Sequence, residues 1–378
     1  MATRTKKNNA LRLAPILKWP GGKERELEQI FANAPAEFEN YYEPFVGGGS
    51  VFMAMNASRF FINDLSKELI SFYRCIASVD EFFFETAKNI SFGWKRVATL
   101  YLRIHIELKE IYLRFRNDRE PNLKGKISQL ADQYRNSFRM VIDKINDDVD
   151  VFVSDCVTSI CSKMNRMKRI EEKKGILSEK DLLGNIETAL YNAFYINLRR
   201  MYNDKQVQLN RAAIFFFIRN LAYSGMFRYN NKGDFNVPYG GMGYNGRNFD
   251  KKIKFYQSAK VVERFKQTDI CNDDFECFLK NRNPTNKDFL FLDPPYDSEF
   301  STYAKNSFGR NDQIRLANYL IKKCKAKWML VIKYTDFIYS LYAGKKGINI
   351  KSFEKRYAVS FMNRNNQKVT HLIVRNYV

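Results

Sequence analysis

The chain has 378 residues, and its 63 Lys and Arg against 41 Asp and Glu give a formal net charge of +22. Hydrophobic residues make up 45% of the sequence and include 32 Phe and 22 Tyr, which excludes a disordered chain because a full core can be buried. The length predicts about two domains, or one domain with a large insertion. The excess of positive charge predicts contact with a polyanion or an acidic membrane surface.

Apolar runs and cysteines bear on the cellular compartment. Runs such as 212–218 are far too short to cross a bilayer, and no apolar stretch follows the basic segment 1–7 to form a signal peptide. The six cysteines form no Cys-x-x-Cys pair, and the chain has two histidines, so no zinc site is predicted. We expect a soluble, cytoplasmic protein that needs no metal and whose cysteines are buried free thiols.

Strands and helices alternate over the first 85 residues. In chain order the pattern predicts a strand at Tyr41–Glu43, a loop at Pro44–Ser50, a helix at Val51–Ala57, a strand at Phe60–Ile62 and a helix at Lys67–Ala77. This β-α-β-α order is typical of a parallel sheet covered by helices.

The middle of the chain, roughly 86–210, has a helical pattern. It contains a basic stretch between Lys163 and Lys174 that also holds Glu171 and Glu172. Two interpretations are open for this stretch: a solvated helix face or a contact with DNA phosphates.

Strands return in the last third of the chain. Buried strands are predicted at Phe289–Leu292 and Trp328–Ile332, and an antiparallel edge hairpin near 351–361 and 368–376 with its turn at 362–367. The sheet therefore begins before the middle region and ends after it. We predict a doubly wound α/β domain that is discontinuous, with a mainly helical region inserted.

A glycine-rich loop follows the first strand. Phe45, Gly47 and Gly49 stand between a strand and a helix, where backbone N–H groups can approach a ligand. A nicotinamide fingerprint would need a third glycine where the sequence has Phe52, and no Walker-type loop is present. Asp64 ends the second strand, where a carboxylate can bind a ribose diol or cap the following helix.

Asp293-Pro294-Pro295-Tyr296 is the most informative motif. A buried strand delivers a carboxylate, two prolines that donate no hydrogen bond and an aromatic ring to one tight turn. The Asp293 carboxylate and a proline carbonyl together can accept both hydrogens of an exocyclic amino group. Tyr296 can stack on the base that bears that group. These acceptors would direct the nitrogen lone pair at an electrophile.

In this order, the motifs resemble those of Dam-like DNA adenine-N6 methyltransferases, in which the cofactor motif precedes the target-recognition segment and the catalytic motif. The resemblance covers roughly 1–80 and 187–378. Its segments are Leu17–Lys23, Glu43–Ser50, Asn63-Asp64, Tyr223–Asn230, Gly233–Pro238 and Asp293–Tyr296.

The resemblance implies a role for each matching residue. The S-adenosyl-L-methionine site would contain Trp19, Lys23, Phe45, Gly47, Gly49, Asp64 and Asp293. The catalytic motif would be Asp293, Pro294, Pro295 and Tyr296, in which Asp293, the Pro294 carbonyl and the Tyr296 ring hold a flipped adenine. A DNA-reading hairpin would use Tyr223 as a wedge in the base stack and would place Ser224, Met226, Arg228 and Pro238 at base edges.

Some of these residues have a second possible role, and others differ from the residue that the family usually has at that position. Arginine suits guanine in the major groove irrespective of family, whereas Tyr223 also fits ordinary core packing. The commonest hairpins of the family have Asn and Leu where this chain has Ser224 and Met226, which argues against GATC, the usual target of the family. His371 stands where the family tends to have an acidic residue, and we interpret it as structural.

The resemblance predicts three regions. They are a catalytic domain at 1–85 and 255–378, a helical insertion at 86–186 that is atypical of the family, and a target-recognition region at 187–254. The predicted reaction is site-specific methyl transfer from S-adenosyl-L-methionine to adenine N6 of a flipped base in duplex DNA. Alternatives are the same chemistry on RNA or single-stranded DNA, and an inactive DNA-binding regulator. We expect a monomer, and the presence of a cognate restriction endonuclease stays open.

Overall fold

The computed structural model describes residues 12–145, 147–296, 308–356 and 368–378. The chain divides into two compact units. The first unit comprises Met1–Ser78 and Ser258–Val378, and the second comprises Val79–Gln257. The first unit is therefore discontinuous in sequence.

The first unit is built on one seven-stranded sheet. Its strands are β1 (Asn40–Glu43), β2 (Arg59–Asn63), β3 (Thr268–Cys271), β4 (Phe289–Leu292), β5 (Lys327–Lys333), β6 (Asn349–Arg356) and β7 (Lys368–Arg375). Their spatial order is β3-β2-β1-β4-β5-β7-β6. The pairs from β3 to β5 are parallel, and β7 is antiparallel to both β5 and β6. This order confirms the predicted doubly wound α/β fold with an antiparallel edge hairpin.

The predicted strands lie within or close to the observed ones. Strands predicted at Tyr41–Glu43, Phe60–Ile62, Phe289–Leu292 and Trp328–Ile332 are confirmed. The late hairpin is also confirmed, and its predicted turn at 362–367 lies outside the described residues. The sequence pattern did not reveal β3, because only its last residue is buried and no apolar run marks it.

Helices precede, connect and follow the strands. In chain order they are α1 (Leu27–Asn33), α2 (Ser50–Ala54), α3 (Lys67–Ala77), α4 (Glu81–Arg116), α5 (Leu123–Gln133), α6 (Arg135–Ile142), α7 (Val149–Lys174), α8 (Glu179–Asn203), α9 (Arg211–Leu221), α10 (Asp250–Tyr256), α11 (Ala259–Lys266), α12 (Phe275–Arg282), α13 (Arg310–Lys322) and α14 (Asp336–Tyr342).

The two helices after β1 and β2 show how local sequence fixes the elements around the site. α3 has the predicted bounds, since the Ser66 hydroxyl caps it by accepting from the Leu69 N–H at 3.3 Å. The predicted helix at 51–57 is three residues too long at its end. α2 ends at Ala54 because Met55 has an extended backbone, with φ −78° and ψ 155°.

The second unit consists mainly of helices α4–α10, which confirms the helical pattern of the middle region. The predicted boundary between residues 85 and 86 lies inside α4, and the one between 186 and 187 lies inside α8. The break into units falls instead after Ser78, next to Asp80, which caps α4 by accepting from the Phe83 N–H. In the basic stretch of α7, Lys168 forms an ion pair with Asp118 at 2.5 Å, so part of that stretch stabilises the unit itself.

The expectation that all six cysteines are buried is wrong. Cys156 and Cys271 are buried, Cys75, Cys161 and Cys324 are partly exposed, and Cys277 is exposed. Cys277 faces solvent because the core side of α12 is formed by Phe275, Phe278 and Leu279, at helical spacing. None of the helices in the described ranges is both long and apolar enough to span a bilayer.

The centre of the sheet positions the residues discussed below. Every residue of β4 is buried, as is expected of a parallel strand covered on both faces. β1 and β4 are neighbours, with Tyr41 opposite Phe289. The chain continues from β1 toward β2 on one side and from β4 toward β5 on the other. The carboxyl ends of β1 and β4 therefore flank a topological switch point, where ligands bind in open α/β sheets.

Candidate active site at the carboxyl ends of β1 and β4

A buried lysine connects the N-terminal segment to the turn after β4. Lys23 is only 2% exposed, and its ammonium nitrogen lies 2.5 Å from Asp293 Oδ2. The same nitrogen donates to the Gly21 carbonyl at 3.0 Å and to the Tyr296 hydroxyl at 3.3 Å. An ammonium group has three hydrogens, and here each has an acceptor. In this ion pair Asp293 is a carboxylate, which only accepts hydrogen bonds.

The two prolines of the turn have different environments. Pro294 is buried and Pro295 is exposed. The Pro295 carbonyl accepts from Gln313 Nε2 at 2.9 Å, and Gln313 is a fully buried residue of α13. Sequence reasoning missed Gln313, for which no pattern in the sequence gives a signal. Its contact fixes the turn and occupies the second proline carbonyl.

The glycine-rich loop between β1 and α2 packs closely on the segment before Lys23. Gly47 and Gly49 have φ of 49° and 72°, and residues that carry a Cβ atom rarely adopt such angles. A Cβ atom on Gly47 would lie 2.8 Å from Trp19 Cδ1, and one on Gly48 would lie 2.1 Å from the Leu17 carbonyl oxygen. The loop therefore needs glycine for its backbone angles and also for space.

Asp64 is tied to the glycine-rich loop. Its Oδ2 accepts from the Gly47 N–H at 3.0 Å, and its Oδ1 accepts from the Ser66 N–H at 3.0 Å. Burial raises the pKa of Asp64 above its usual range, and these backbone N–H donors partly oppose that shift. The helix N-cap is Ser66, so the alternative interpretation of Asp64 as the cap of α3 is wrong. Tyr73 supports the same loop by donating to the Gly47 carbonyl at 3.0 Å.

Phe45 belongs to an aromatic cluster beside the loop. Its ring lies 5.6 Å from Phe275 and 5.5 Å from Phe308, and it is partly exposed. A partly exposed ring among other rings can contact an aromatic ligand on its open side.

Glu43 is a second acidic residue near Asp293, and sequence reasoning assigned it no role. It is 2% exposed at the end of β1 and accepts from the Tyr41 hydroxyl at 2.7 Å. Burial, together with the charge of Asp293, raises the pKa of Glu43 well above its usual range. Burial therefore disfavours the charged form of Glu43, and the ion pair of Lys23 is made with Asp293. An acidic residue at the end of a strand and directly before the glycine-rich loop was the available signal.

Tyr296 contacts Lys23 on one side and His371 on the other. Its hydroxyl lies 3.3 Å from His371 Nε2, and the two rings meet edge to face at 5.8 Å and 70°. His371 is fully buried on β7. The structure thus brings Lys23, Asp293, Tyr296 and His371 together, although more than 340 positions separate the first from the last.

The segment that resembles a DNA-reading hairpin lies in the second unit. Antiparallel bridges join Ala222 to Tyr239 and Tyr229 to Phe235. At its start, Ser224 and Gly225 have φ of 51° and 62°, and the Met226 N–H donates to the Tyr223 carbonyl at 3.0 Å. Two consecutive positive φ angles with this hydrogen bond form a type I′ turn.

The side chains of the hairpin divide into an anchored set and an exposed set. Phe235 is buried, and its backbone N–H and carbonyl bond to the Asn203 side chain of α8 at 2.8 and 3.0 Å. Tyr223 is 40% exposed, which contradicts the alternative of core packing. Of the remaining predicted DNA contacts, Ser224, Arg228 and Pro238 are exposed and Met226 is partly exposed. Arg228 Nε donates to Asn236 Oδ1 at 3.3 Å, so its guanidinium is held on the surface of the hairpin.

The sequence is similar to proteins of one enzyme family. The family described as D12 class N6 adenine-specific DNA methyltransferase matches residues 19–146 and 146–359. The chain is 25% identical over 368 residues to the Type II methyltransferase M.CviBI of Paramecium bursaria Chlorella virus NC1A, covering 97% of this chain and 100% of that protein. It is 26% identical over 385 residues to the Type II methyltransferase M.MjaIII of Methanocaldococcus jannaschii, with coverage of 97% and 100%.

A cellular DNA methylase is also similar. The DNA adenine methylase of Escherichia coli strain K12 is 23% identical over 317 residues, covering 82% of this chain and 75% of that protein. The family match spans most of the chain and includes the Lys23, glycine-loop, Asp64 and Asp293 segments. The chain therefore belongs to the D12 class N6 adenine-specific DNA methyltransferases, which methylate adenine in DNA with S-adenosyl-L-methionine as the methyl donor.

Proposed function

We propose that the protein methylates one specific sequence in duplex DNA, and that it does so on an adenine flipped out of the helix and held by Asp293, Pro294 and Tyr296. The observation that carries this proposal is the buried Lys23–Asp293 ion pair at the switch point of the sheet. A structural ion pair has no need of this position, whereas a methyl-transfer site needs an oriented carboxylate there.

The residues around the glycine-rich loop fit S-adenosyl-L-methionine. We assign Trp19, Lys23, Phe45, Gly47, Gly49, Asp64 and Asp293 to this site. The loop presents backbone without side chains, Asp64 offers a carboxylate for hydroxyl groups, and Trp19 and Phe45 offer partly exposed aromatic faces. When bound, S-adenosyl-L-methionine supplies an electrophilic methyl group on its sulfonium.

In the proposed chemistry, the turn after β4 holds the amino group of adenine. The ionised Asp293 carboxylate and the Pro294 carbonyl accept the two N6 hydrogens and orient the nitrogen lone pair toward the methyl group. As the N–C bond forms, the bond between the methyl carbon and the sulfonium sulfur breaks and leaves a neutral thioether. The carboxylate stabilises the positive charge that develops on the nitrogen, which then gives up one proton to solvent water. The carbonyl of Pro295 is engaged by Gln313, so Pro295 contributes rigidity and not an acceptor. The Tyr296 ring stacks on the base.

We assign recognition of the DNA to the hairpin of the second unit. Tyr223 would enter the base stack, and Ser224, Met226, Arg228 and Pro238 would contact base edges. The exposed ring of Tyr223, which could enter a base stack, and the exposed guanidinium of Arg228, which could bind guanine in the major groove, support duplex DNA as the substrate. The net charge of +22 would add affinity for phosphates that falls as salt rises.

The proposal extends to the partners of the enzyme. Two relatives are named Type II methyltransferases. We therefore propose that a cognate restriction endonuclease is encoded next to the gene of this protein. We also propose that the methyltransferase itself acts as a monomer.

Replacing Asp293 by alanine or asparagine is expected to abolish methyl transfer to DNA, because neither side chain presents a charged acceptor. The measurement is incubation of unmethylated plasmid with S-adenosyl-L-methionine, followed by modified-base sequencing. The wild-type protein should give N6-methyladenine in one short sequence context. Asp132→Asn, which changes a 71% exposed aspartate of the second unit, serves as the matched control and should methylate normally. Methylation by Asp293→Ala at the wild-type rate would contradict the assignment.

Gly48→Ala is expected to weaken binding of S-adenosyl-L-methionine by about tenfold or more, because its Cβ would meet the Leu17 carbonyl oxygen at 2.1 Å and force the loop to move. Calorimetric titration with the cofactor measures this effect. Gly243→Ala is the matched control, since a Cβ there would have no atom within 4 Å. Equal affinities of the two variants would show that the loop does not bind the cofactor.

Arg228→Ala is expected to reduce methylation of the recognised sequence by about 10- to 100-fold and to relax the base requirement at one position, as loss of a bidentate guanine contact does. Arg139→Ala removes the same charge from an exposed position on α6. Its effect should be small and equal for all sequences. The comparison is made by sequencing methylated genomic DNA after treatment with each variant. If Arg228→Ala lowered methylation equally at all sequences, Arg228 would contact phosphates and would not read a base.

A further inference from the structure

His371 is a buried titratable residue that the proposed chemistry does not use. It lies on β7, which pairs with β5 on one side and β6 on the other, and it is fully buried. Both ring nitrogens have a partner at 3.3 Å: Nε2 meets the Tyr296 hydroxyl, and Nδ1 meets the Val369 carbonyl. A structural histidine in this core would have no need of a contact with the catalytic motif.

For a neutral imidazole, the chemistry of the two partners gives these hydrogen bonds one direction. A carbonyl oxygen only accepts, so Nδ1 carries the hydrogen. In a neutral imidazole Nε2 is then the acceptor, and the Tyr296 hydroxyl donates to it. The hydroxyl oxygen in turn accepts from Lys23 Nζ at 3.3 Å. One directed chain therefore runs from Lys23 through Tyr296 and His371 to Val369.

In the contact between Tyr296 and His371, the histidine is on the more rigid element. Tyr296 follows β4 and lies outside the strands. His371 stands on an interior strand, opposite Phe353 of β6 in the antiparallel register, and its ring lies 5.6 Å from the Phe353 ring. A loop side chain held by a residue of a packed strand is fixed more precisely than one held by its loop alone.

We propose that His371 is a positioning residue for methyl transfer: its neutral imidazole accepts the Tyr296 hydroxyl hydrogen and fixes the ring on which the flipped adenine stacks. The proposal rests on the proposed role of Tyr296. With the hydroxyl held between Lys23 and His371, the ring plane is set before the base arrives. Binding of the base then does not have to order the tyrosine side chain, so less conformational entropy is lost on binding.

Two substitutions of His371 separate positioning from packing. His371→Leu removes the acceptor, whereas His371→Gln keeps an amide oxygen near the position of Nε2. We expect His371→Leu to lower kcat/KM for DNA by about tenfold, the effect of losing one hydrogen bond. The affinity for S-adenosyl-L-methionine without DNA should stay within about twofold, since the residues assigned to the cofactor are unchanged. His371→Gln should recover most of the loss.

A double-mutant cycle tests whether the effect passes through the tyrosine. Tyr296→Phe keeps the ring and removes the hydroxyl. If His371 acts through that hydroxyl, the double variant Tyr296→Phe/His371→Leu should be no slower than the worse single variant. Additive losses in the double variant would overturn the proposal, as would a His371→Gln enzyme no faster than His371→Leu.

Nitrogen NMR tests the hydrogen bond without any activity. The chain has only two histidines, His105 and His371, so a His105→Gln variant assigns both imidazoles. We expect His371 in the neutral Nδ1–H form, with an Nε2 resonance that shifts in Tyr296→Phe. An Nε2–H form, or no shift, would overturn the proposal.

The proposed function and this inference fail in different ways. Wild-type methylation by Tyr296→Ala would refute the role of Tyr296 itself. Loss of methylation in Tyr296→Ala together with wild-type kinetics in His371→Leu would refute the positioning role alone.

Discussion

The hydrogen-bonded ammonium of Lys23 is the interaction on which the rest of the site depends. A buried cation is tolerated only when its charge is balanced and its hydrogens are all accepted. Lys23 meets both conditions with the Asp293 carboxylate, the Gly21 carbonyl and the Tyr296 hydroxyl. Two of these acceptors stand in the turn after β4, so this one residue fixes the N-terminal segment to the catalytic motif.

Two other acidic residues of the described site, Glu43 and Asp64, do not compete with Asp293 for the ammonium group of Lys23. Glu43 and Asp293 interact electrostatically, and burial raises the pKa of Glu43 well above its usual range, which disfavours its charged form. Asp64 is occupied by the N–H groups of Gly47 and Ser66. Lys23 therefore makes its ion pair with Asp293, and the Asp293 carboxylate is oriented for an incoming amino group.

Much of this arrangement could be predicted from sequence because it follows local patterns. The strand before Asp293, the glycine-rich loop after β1 and the helix that starts at Lys67 are all marked by neighbouring residues. β3 could not be predicted because three of its four residues are only partly buried and carry no alternation. The contacts of Gln313 and His371 with the catalytic motif depend on pairings between distant segments, which no local pattern contains.

The end of α2 and the boundary between the two units could not be predicted from the sequence. α2 stops early because of the extended backbone at Met55, and α4 runs through the predicted boundary at residues 85 and 86. The helix cap at Asp80 fixes where the first helix of the second unit begins.

The most direct test of the central claim is the free energy of unfolding of Lys23→Met, Asp293→Asn and the double variant, measured by denaturant titration. Lys23→Met should lose about 3 kcal/mol, the lower end of the range for breaking a buried pair, since Asp293 keeps 19% exposure. The double variant should recover most of that loss because no unpaired charge remains, yet it should not methylate DNA. Additive destabilisation in the double variant, or a Lys23→Met protein as stable as the wild type, would contradict the account.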